Sequence, residues 1–214
     1  MTPTGRSSSV QLVYERTRLA ILDGTLAPGI QLRIQHLADE NGVSLIPVRE
    51  ALRMLAADAL VEVIPNHGAR VAPLSIEDML DIYQTRIVLE IEALRQAAPN
   101  LSDRDLDAAD RLLFDFVSAI ERSDVDAYQL HKELHFLLYQ ASNSRWLLRL
   151  ITIMWNHTER YRRRSIPQVN TQTIFAEHSA ILIALRTGDV DRACGALKEH
   201  LDNTVRFHSA AARA

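Results

Sequence analysis

The apolar positions of the chain change period twice, and each change marks an element. Val10, Val13, Tyr14, Ala20 and Ile21 recur at helical spacing and Gly24 follows, which predicts a first helix over Val10 to Leu22. Residues 1–9, rich in Thr, Ser, Pro and Gly, carry no such spacing and read as a disordered tail. A short helical segment, Ile34 to Asn41, stops at Gly42, a natural left-handed cap. Another begins after Ser44, whose hydroxyl suits an N-cap, with Pro47 near the start, where no intrahelical donor is needed. Within it Val48, Leu52 and Leu55 fall at i, i+4 and i+7, leaving Arg49 and Arg53 together on a polar face. The period then shortens. Leu60 to Pro65 alternates and Ala69 to Ala72 follows, with Asn66-His67-Gly68 between them as a turn, so a two-stranded wing is expected.

From Ser75 onward the pattern is helical throughout. Segments at Ile76 to Ala98, Asp103 to Arg122, Val125 to Ser142, Arg145 to Arg164, Thr171 to Thr187 and Val190 to about Ser209 are each bounded by a cap residue, a glycine or a proline. The fold expected is mainly α: an N-terminal winged helix-turn-helix over 10–74, then an antiparallel six-helix bundle over 75–209.

Composition narrows the function. The 214 residues are 47% hydrophobic, enough for packed cores, and contain no apolar run of membrane-spanning length. Residues 1–9 lack the apolar centre of a signal peptide, so the cytoplasm is the expected compartment and no membrane partner is expected. The single cysteine, Cys194, reads as a small buried residue. A formal charge of −3 argues against coating nucleic acid by charge alone. The first 74 residues balance seven arginines against as many acids, so DNA binding would depend on placement and pairing, with marked salt dependence.

Candidate chemistry lies in the histidines of the bundle. His131 and His135, at i and i+4, project from one helix face about a turn apart and can chelate one ion. His178 and His200 sit on the last two helices, where a bundle can direct them inward. Spacing alone fits a four-histidine metal site and a scatter of ordinary histidines about equally. The run Arg160-Tyr161-Arg162-Arg163-Arg164 reads as a solvated helix end favoured by the helix dipole, with anion or DNA contact a minor role.

Several motifs in register carry a family resemblance. Leu26-x-Pro28-Gly29, Leu37-Ala38, Gly42-Val43-Ser44, Pro47 to Leu52 and the Gly68/Val71 wing resemble the winged helix-turn-helix of the GntR family of bacterial transcription regulators. Residues 76–208 resemble that family's FCD effector domain, on Arg86-x-x-Leu89-Glu90, His135 with Ala141-Ser142-Asn143, Glu177-His178 with Gly188-Asp189, and His200-Leu201; six helices are nearest its VanR-like group.

The resemblance implies a recognition helix in the major groove and a wing tip at the minor groove, hence DNA contacts at Ser44, Arg49, His67 and Gly68. Arg49 is the residue suited to a bidentate guanine contact, and Arg53 reads as a phosphate contact. Gln35 and Leu45 stand where relatives often have basic residues. Leu45 and Ile46 either touch thymine methyls or pack inward. In many members one aspartate and three histidines bind a divalent metal; here His131 occupies the aspartate position beside His135, His178 and His200. A fourth imidazole shifts preference towards zinc or nickel, and the more positive site favours a small carboxylate effector. Arg86 is a candidate effector partner, although an ion pair with Glu90 at i+4 is the first reading. A homodimer on a double-stranded DNA operator is implied. Two other classes remain: a metal-dependent enzyme, for which Glu177 and Glu133 are the nearest acids, and a winged-helix module for protein contact alone.

Overall fold

The computed structural model describes residues 5–64, 68–124, 127–162 and 170–211. The chain divides into two compact units, Met1–Ser75 and Ile76–Ala214, each considered by itself.

The first unit contains α1 (Gly5–Leu22), β1 (Gln31–Leu32), α2 (Ile34–Asn41), α3 (Leu45–Ala57), β2 (Val61–Ile64) and β3 (Gly68–Val71). Helix α1 starts within the expected tail. Nothing between Gly5 and Val10 forbids a helix, and once Val13, Thr17 and Ile21 are buried as an i, i+4, i+8 row the helix extends backwards by about a turn. Gly42 ends α2 with φ +63° and donates back to Asp39. Ser44 holds the N-cap position of α3 with extended backbone, but its side chain makes no cap hydrogen bond, in contrast to the expected role. Pro47 and Val48, Ala51, Leu52 and Leu55 form the buried face of α3, packed with Val13, Ile21, Leu37, Leu60 and Val71.

The wing is larger than its pattern suggests. Strand β3 pairs antiparallel with β2, from Val61 opposite Val71 to Ile64 opposite Gly68. Its other edge pairs with β1, Gln31 opposite Arg70 and Leu32 opposite Ala69, which gives a three-stranded sheet in the order β1-β3-β2. Two residues cannot show a period, so β1 is invisible in sequence. Gly68 is needed at its place: φ is +91° and a Cβ would lie 2.7 Å from the Leu32 carbonyl oxygen.

The second unit contains α4 (Ile76–Ala97), a 3-10 turn (Ala98–Asn100), α5 (Asp103–Glu121), α6 (Ala127–Gln140), α7 (Arg145–Arg162), α8 (Thr171–Arg186) and α9 (Val190–Ala211). These are the six expected helices: α4, α5 and α8 end one residue early, α6 ends at Gln140, and α9 runs on to Ala211, while residues 125–126 and 163–164 of the expected spans lie outside the described residues. Ser102 and Asp105 form a reciprocal capping box at the start of α5, and the Asn170 side chain caps α8 by accepting from the Gln172 and Thr173 amides. Helix α4 packs on α7 and α9, α5 on α6 and α8, and α8 on α9. The core holds Met79, Leu94, Leu113, Phe116, Leu134 and Trp155, with Cys194 also buried. Polar and charged groups share it: Arg86, Glu90, His131, His135, His178 and His200 are all buried.

Candidate functional site

Burial of four imidazoles is costly unless their polar atoms are used, and the geometry shows how they are used. One ring nitrogen from each of His131, His135, His178 and His200 lies within 4.8 Å of the others. The Nε2 atoms of His131, His135 and His178 are 3.0–3.1 Å apart pairwise.

Outer contacts fix the tautomers. The Nδ1 of His178 is 2.8 Å from the Ile174 carbonyl oxygen, which only accepts, so Nδ1 carries the proton and Nε2 is a bare lone pair. His200 Nδ1 is 2.8 Å from Glu177 Oε2, and the same carboxylate accepts from the Asn203 amide at 2.6 Å. The Tyr139 hydroxyl donates to Glu90 Oε2 at 2.7 Å, leaving its oxygen to accept from His135 Nδ1 at 3.0 Å. Three imidazoles therefore direct lone pairs inward. Of the four Nδ1 atoms, only that of His131 is buried without a hydrogen-bond partner among the described residues.

Lone pairs facing one another repel, and neutral imidazoles are what burial enforces. Burial pushes His131, His135 and His178 well below the ordinary imidazole range; the positive charges of Arg162 and neighbouring histidines add to the effect. A cation resolves the repulsion. First-row ions held at about 2.0–2.1 Å by imidazole require nitrogen separations of about 3.0–3.4 Å, close to those observed. The four histidines could hold a metal ion, and the outer partners of His135, His178 and His200 have the acceptor sense that such a site needs.

Arg86 takes the first of its two expected roles. Its Nε donates to Glu90 Oε1 at 2.6 Å and its Nη1 to Thr158 Oγ1 at 3.0 Å, while the guanidinium lies 4.3 Å from the Trp155 ring centre. It is not among the residues lining the cavity beside the histidines. That cavity, about 270 Å³, is bordered by α5, α6, α7, α8 and α9, and the arginine that reaches it is Arg162. The expected solvated end of α7 is thus corrected: Arg160 and Arg162 are buried, 6% and 7% exposed, because this end of α7 packs inside the bundle. Residues 163–169, with the remaining basic residues Arg163 and Arg164, lie outside the described residues.

Sequence reasoning missed Tyr139, Glu90 and Arg162 as parts of the site. Tyr139 was readable as i+4 from His135, and Glu90 stands in the Arg86-x-x-Leu89-Glu90 motif. Glu177, considered only as an acid for catalysis, is a hydrogen-bond partner of His200.

The residues expected to contact DNA lie in the first unit. Arg49 and Arg53 are exposed on α3, on the face opposite Val48 and Leu52, with Arg53 Nη1 2.8 Å from Glu50 Oε1. Ser44 is exposed at the start of α3, and Gln35 is exposed on α2, donating to Asp39 at 3.0 Å. Leu45 and Ile46, 38% and 52% exposed, do not pack inward. Gly68 opens β3, and His67 lies outside the described residues.

A winged helix-turn-helix with a basic recognition helix, in one chain with a helical bundle that gathers a ligand set, defines a DNA-binding transcription regulator and not an enzyme. The chain belongs to the GntR family: residues 10–71 match the bacterial regulatory proteins of the gntR family, and residues 81–203 match the FCD domain. It is 31% identical over 207 residues to BphR, an uncharacterized HTH-type transcriptional regulator of Paraburkholderia xenovorans (strain LB400), across 92% of this chain and 84% of that one. Among solved structures it resembles E. coli McbR/YncC, with a TM-score of 0.79 at 23% identity over 94% of this chain and 97% of that one. A putative GntR regulator from Rhodococcus sp. RHA1 superposes with a TM-score of 0.77 at 25% identity, covering 95% and 98%. None of the described helices is long and apolar enough to cross a membrane.

Proposed function

We propose that this protein is a homodimeric, cytoplasmic, sequence-specific operator-binding regulator whose DNA affinity is set by a divalent metal and a small carboxylate effector in the helical unit. The observation that carries the ligand part is the inward convergence of lone pairs from His135, His178 and His200 next to His131. Four imidazoles without a carboxylate favour zinc or nickel over harder ions. A bound ion would supply positive charge that attracts a carboxylate to the adjoining cavity. The chain's own residues orient the imidazoles and present Arg162, in place of Arg86, to the ligand's carboxylate. In the first unit Arg49 reads a base edge and Ser44, Arg53, Gln35, His67 and Gly68 border the duplex. Control follows if the ligand binds one of two head arrangements of the dimer better than the other.

The test is binding to the DNA flanking the protein's own gene, titrated with salt, for wild type and Arg49→Ala, each with and without a chelator. Selective, saturable binding lost in Arg49→Ala establishes the operator reader, and a chelator effect links the histidine site to it. If no condition gives selective binding, the protein-contact module takes its place.

A further inference from the structure

The cavity beside the histidine site has an asymmetric wall, and that asymmetry names a class of ligand. This inference rests on the carboxylate-effector reading above and narrows it. Arg162 is 7% exposed and lines the cavity, and its Nη1 finds no hydrogen-bond partner among the described residues. Glu159 offsets part of the charge of Arg162, but a buried guanidinium nitrogen without an acceptor is destabilising unless a ligand supplies one, and a carboxylate is its natural complement. Arg162 is the only lysine or arginine among the described residues that line the cavity. It lies at the metal end: its Cζ is 6.0 Å from the Trp155 ring, and that ring lies 5.3 Å from His131 and 5.1 Å from His135.

Elsewhere the wall is mostly carbon, from Phe116, Ile120, Ile174 and Phe207. Most of the polar side chains that border it are already engaged. Asn203 donates to Glu177, the Thr204 hydroxyl to the His200 carbonyl, and Asn170 accepts from two amides of α8. His208, also in the wall, is buried and held at about 4, chiefly by burial and then by Arg162 and Arg86, so it adds no second cation near neutrality. At about 30 Å³ per water, 270 Å³ has room for about nine waters, hence an organic acid on the order of ten non-hydrogen atoms.

We infer that the effector is a monocarboxylate with an aromatic or branched apolar body, its one carboxylate held by Arg162 at the metal end and its body against Phe116, Ile120, Ile174 and Phe207. A polyhydroxylated acid would give up hydration without replacement partners, and the far carboxylate of a diacid would be left against carbon or against Glu177.

The test is calorimetric titration of the full-length, zinc-loaded protein with 3-phenylpropanoate, gluconate, succinate and the neutral 3-phenylpropan-1-ol. Arg162→Met, Arg162→Lys and Ile120→Asn are run beside wild type, with zinc content and helicity checked for each. Saturable 3-phenylpropanoate binding at least tenfold tighter than the other three, weakened tenfold or more by Arg162→Met and by Ile120→Asn and less by Arg162→Lys, is the expected result. Tighter binding of gluconate or succinate, still dependent on Arg162, overturns the apolar body while leaving a carboxylate effector in place. Unchanged 3-phenylpropanoate affinity in folded, zinc-loaded Arg162→Met overturns the anchor. No binding of any acid to protein that holds its zinc and its DNA overturns this inference and the effector part of the proposed function together.

Discussion

The two units place their functional groups on opposite sides of the folding problem. In the first, Arg49, Arg53 and Gln35 lie on exposed faces, and the core beneath them is apolar: Val13, Ile21, Val48, Leu52, Leu55 and Val71. In the second, the candidate ligands and their partners are themselves core, with Glu90 fully buried and His135 and Arg86 each 2% exposed. A surface reader can change its contacts at little cost to its fold. A buried sensor cannot, because the groups that would bind the ligand also satisfy one another's hydrogen bonds.

The sharpest way to break this contrast is at the buried ion pair. Glu90→Ala leaves Arg86 uncompensated and Tyr139 without its acceptor, and is expected to cost about 3–5 kcal/mol in urea unfolding. A loss below about 1 kcal/mol would show that the second unit tolerates change as the first does. Metal loading should act in the same range: at free zinc a thousandfold above its dissociation constant the second unit gains about 4 kcal/mol, and His178→Ala should abolish most of that gain.

Acid should separate the units next. The folded state holds His208 at about 4 against 6.5, so it binds fewer protons than the unfolded chain in that interval. The contribution of His208 is whole above about pH 6.5 and is lost as pH falls towards 4, a loss on the order of 3 kcal/mol. The depressed imidazoles of His131, His135 and His178 act with the same sign in the metal-free protein. Denaturant melts of metal-free protein from pH 7 to 4 should show this loss. Stability that is flat across that range would sink the claim.

In the first unit the expected stability effects are smaller and local. Gly68→Ala forces a side chain into positive φ and against the Leu32 carbonyl, for a cost of about 1–3 kcal/mol and a weaker β1–β3 edge. Arg49→Ala should change stability by less than about 0.5 kcal/mol, yet lower operator affinity by about 1–3 kcal/mol, read by fluorescence anisotropy at fixed salt. A large melting shift in Arg49→Ala would mean that the reading face is also structural.

Legibility followed the same divide. The basic face of α3 and its apolar reverse were readable because helical period alone separates Arg49 and Arg53 from Val48, Leu52 and Leu55. In the bundle, His131 and His135 were readable as a pair for the same reason, and Tyr139 could have been. Strand β1 was not, being two residues recruited by the free edge of β3. Arg162 was misread because a cation near a helix C-terminus looks the same in sequence whether the helix end meets water or a cavity wall. The start of α1 was misplaced because composition describes residues 5–9 in isolation, without the packing of Val13 and Thr17 that props the helix.

Sequence by itself determined what nearest neighbours along the chain can decide: helix periods, caps at Gly42 and Ser102, the basic face of α3, the six-helix pattern and the four histidines as candidates. Tertiary structure alone decided which of those groups meet. Glu90 from α4, Tyr139 from α6 and Glu177 from α8 set the direction of imidazole lone pairs on α6 and α9, and Arg162 from α7 faces a cavity whose other walls come from four helices. Hydrogen-bond polarity and charge act over a few ångströms of space, and Arg86 and Thr158, within that range here, are 72 positions apart in the chain.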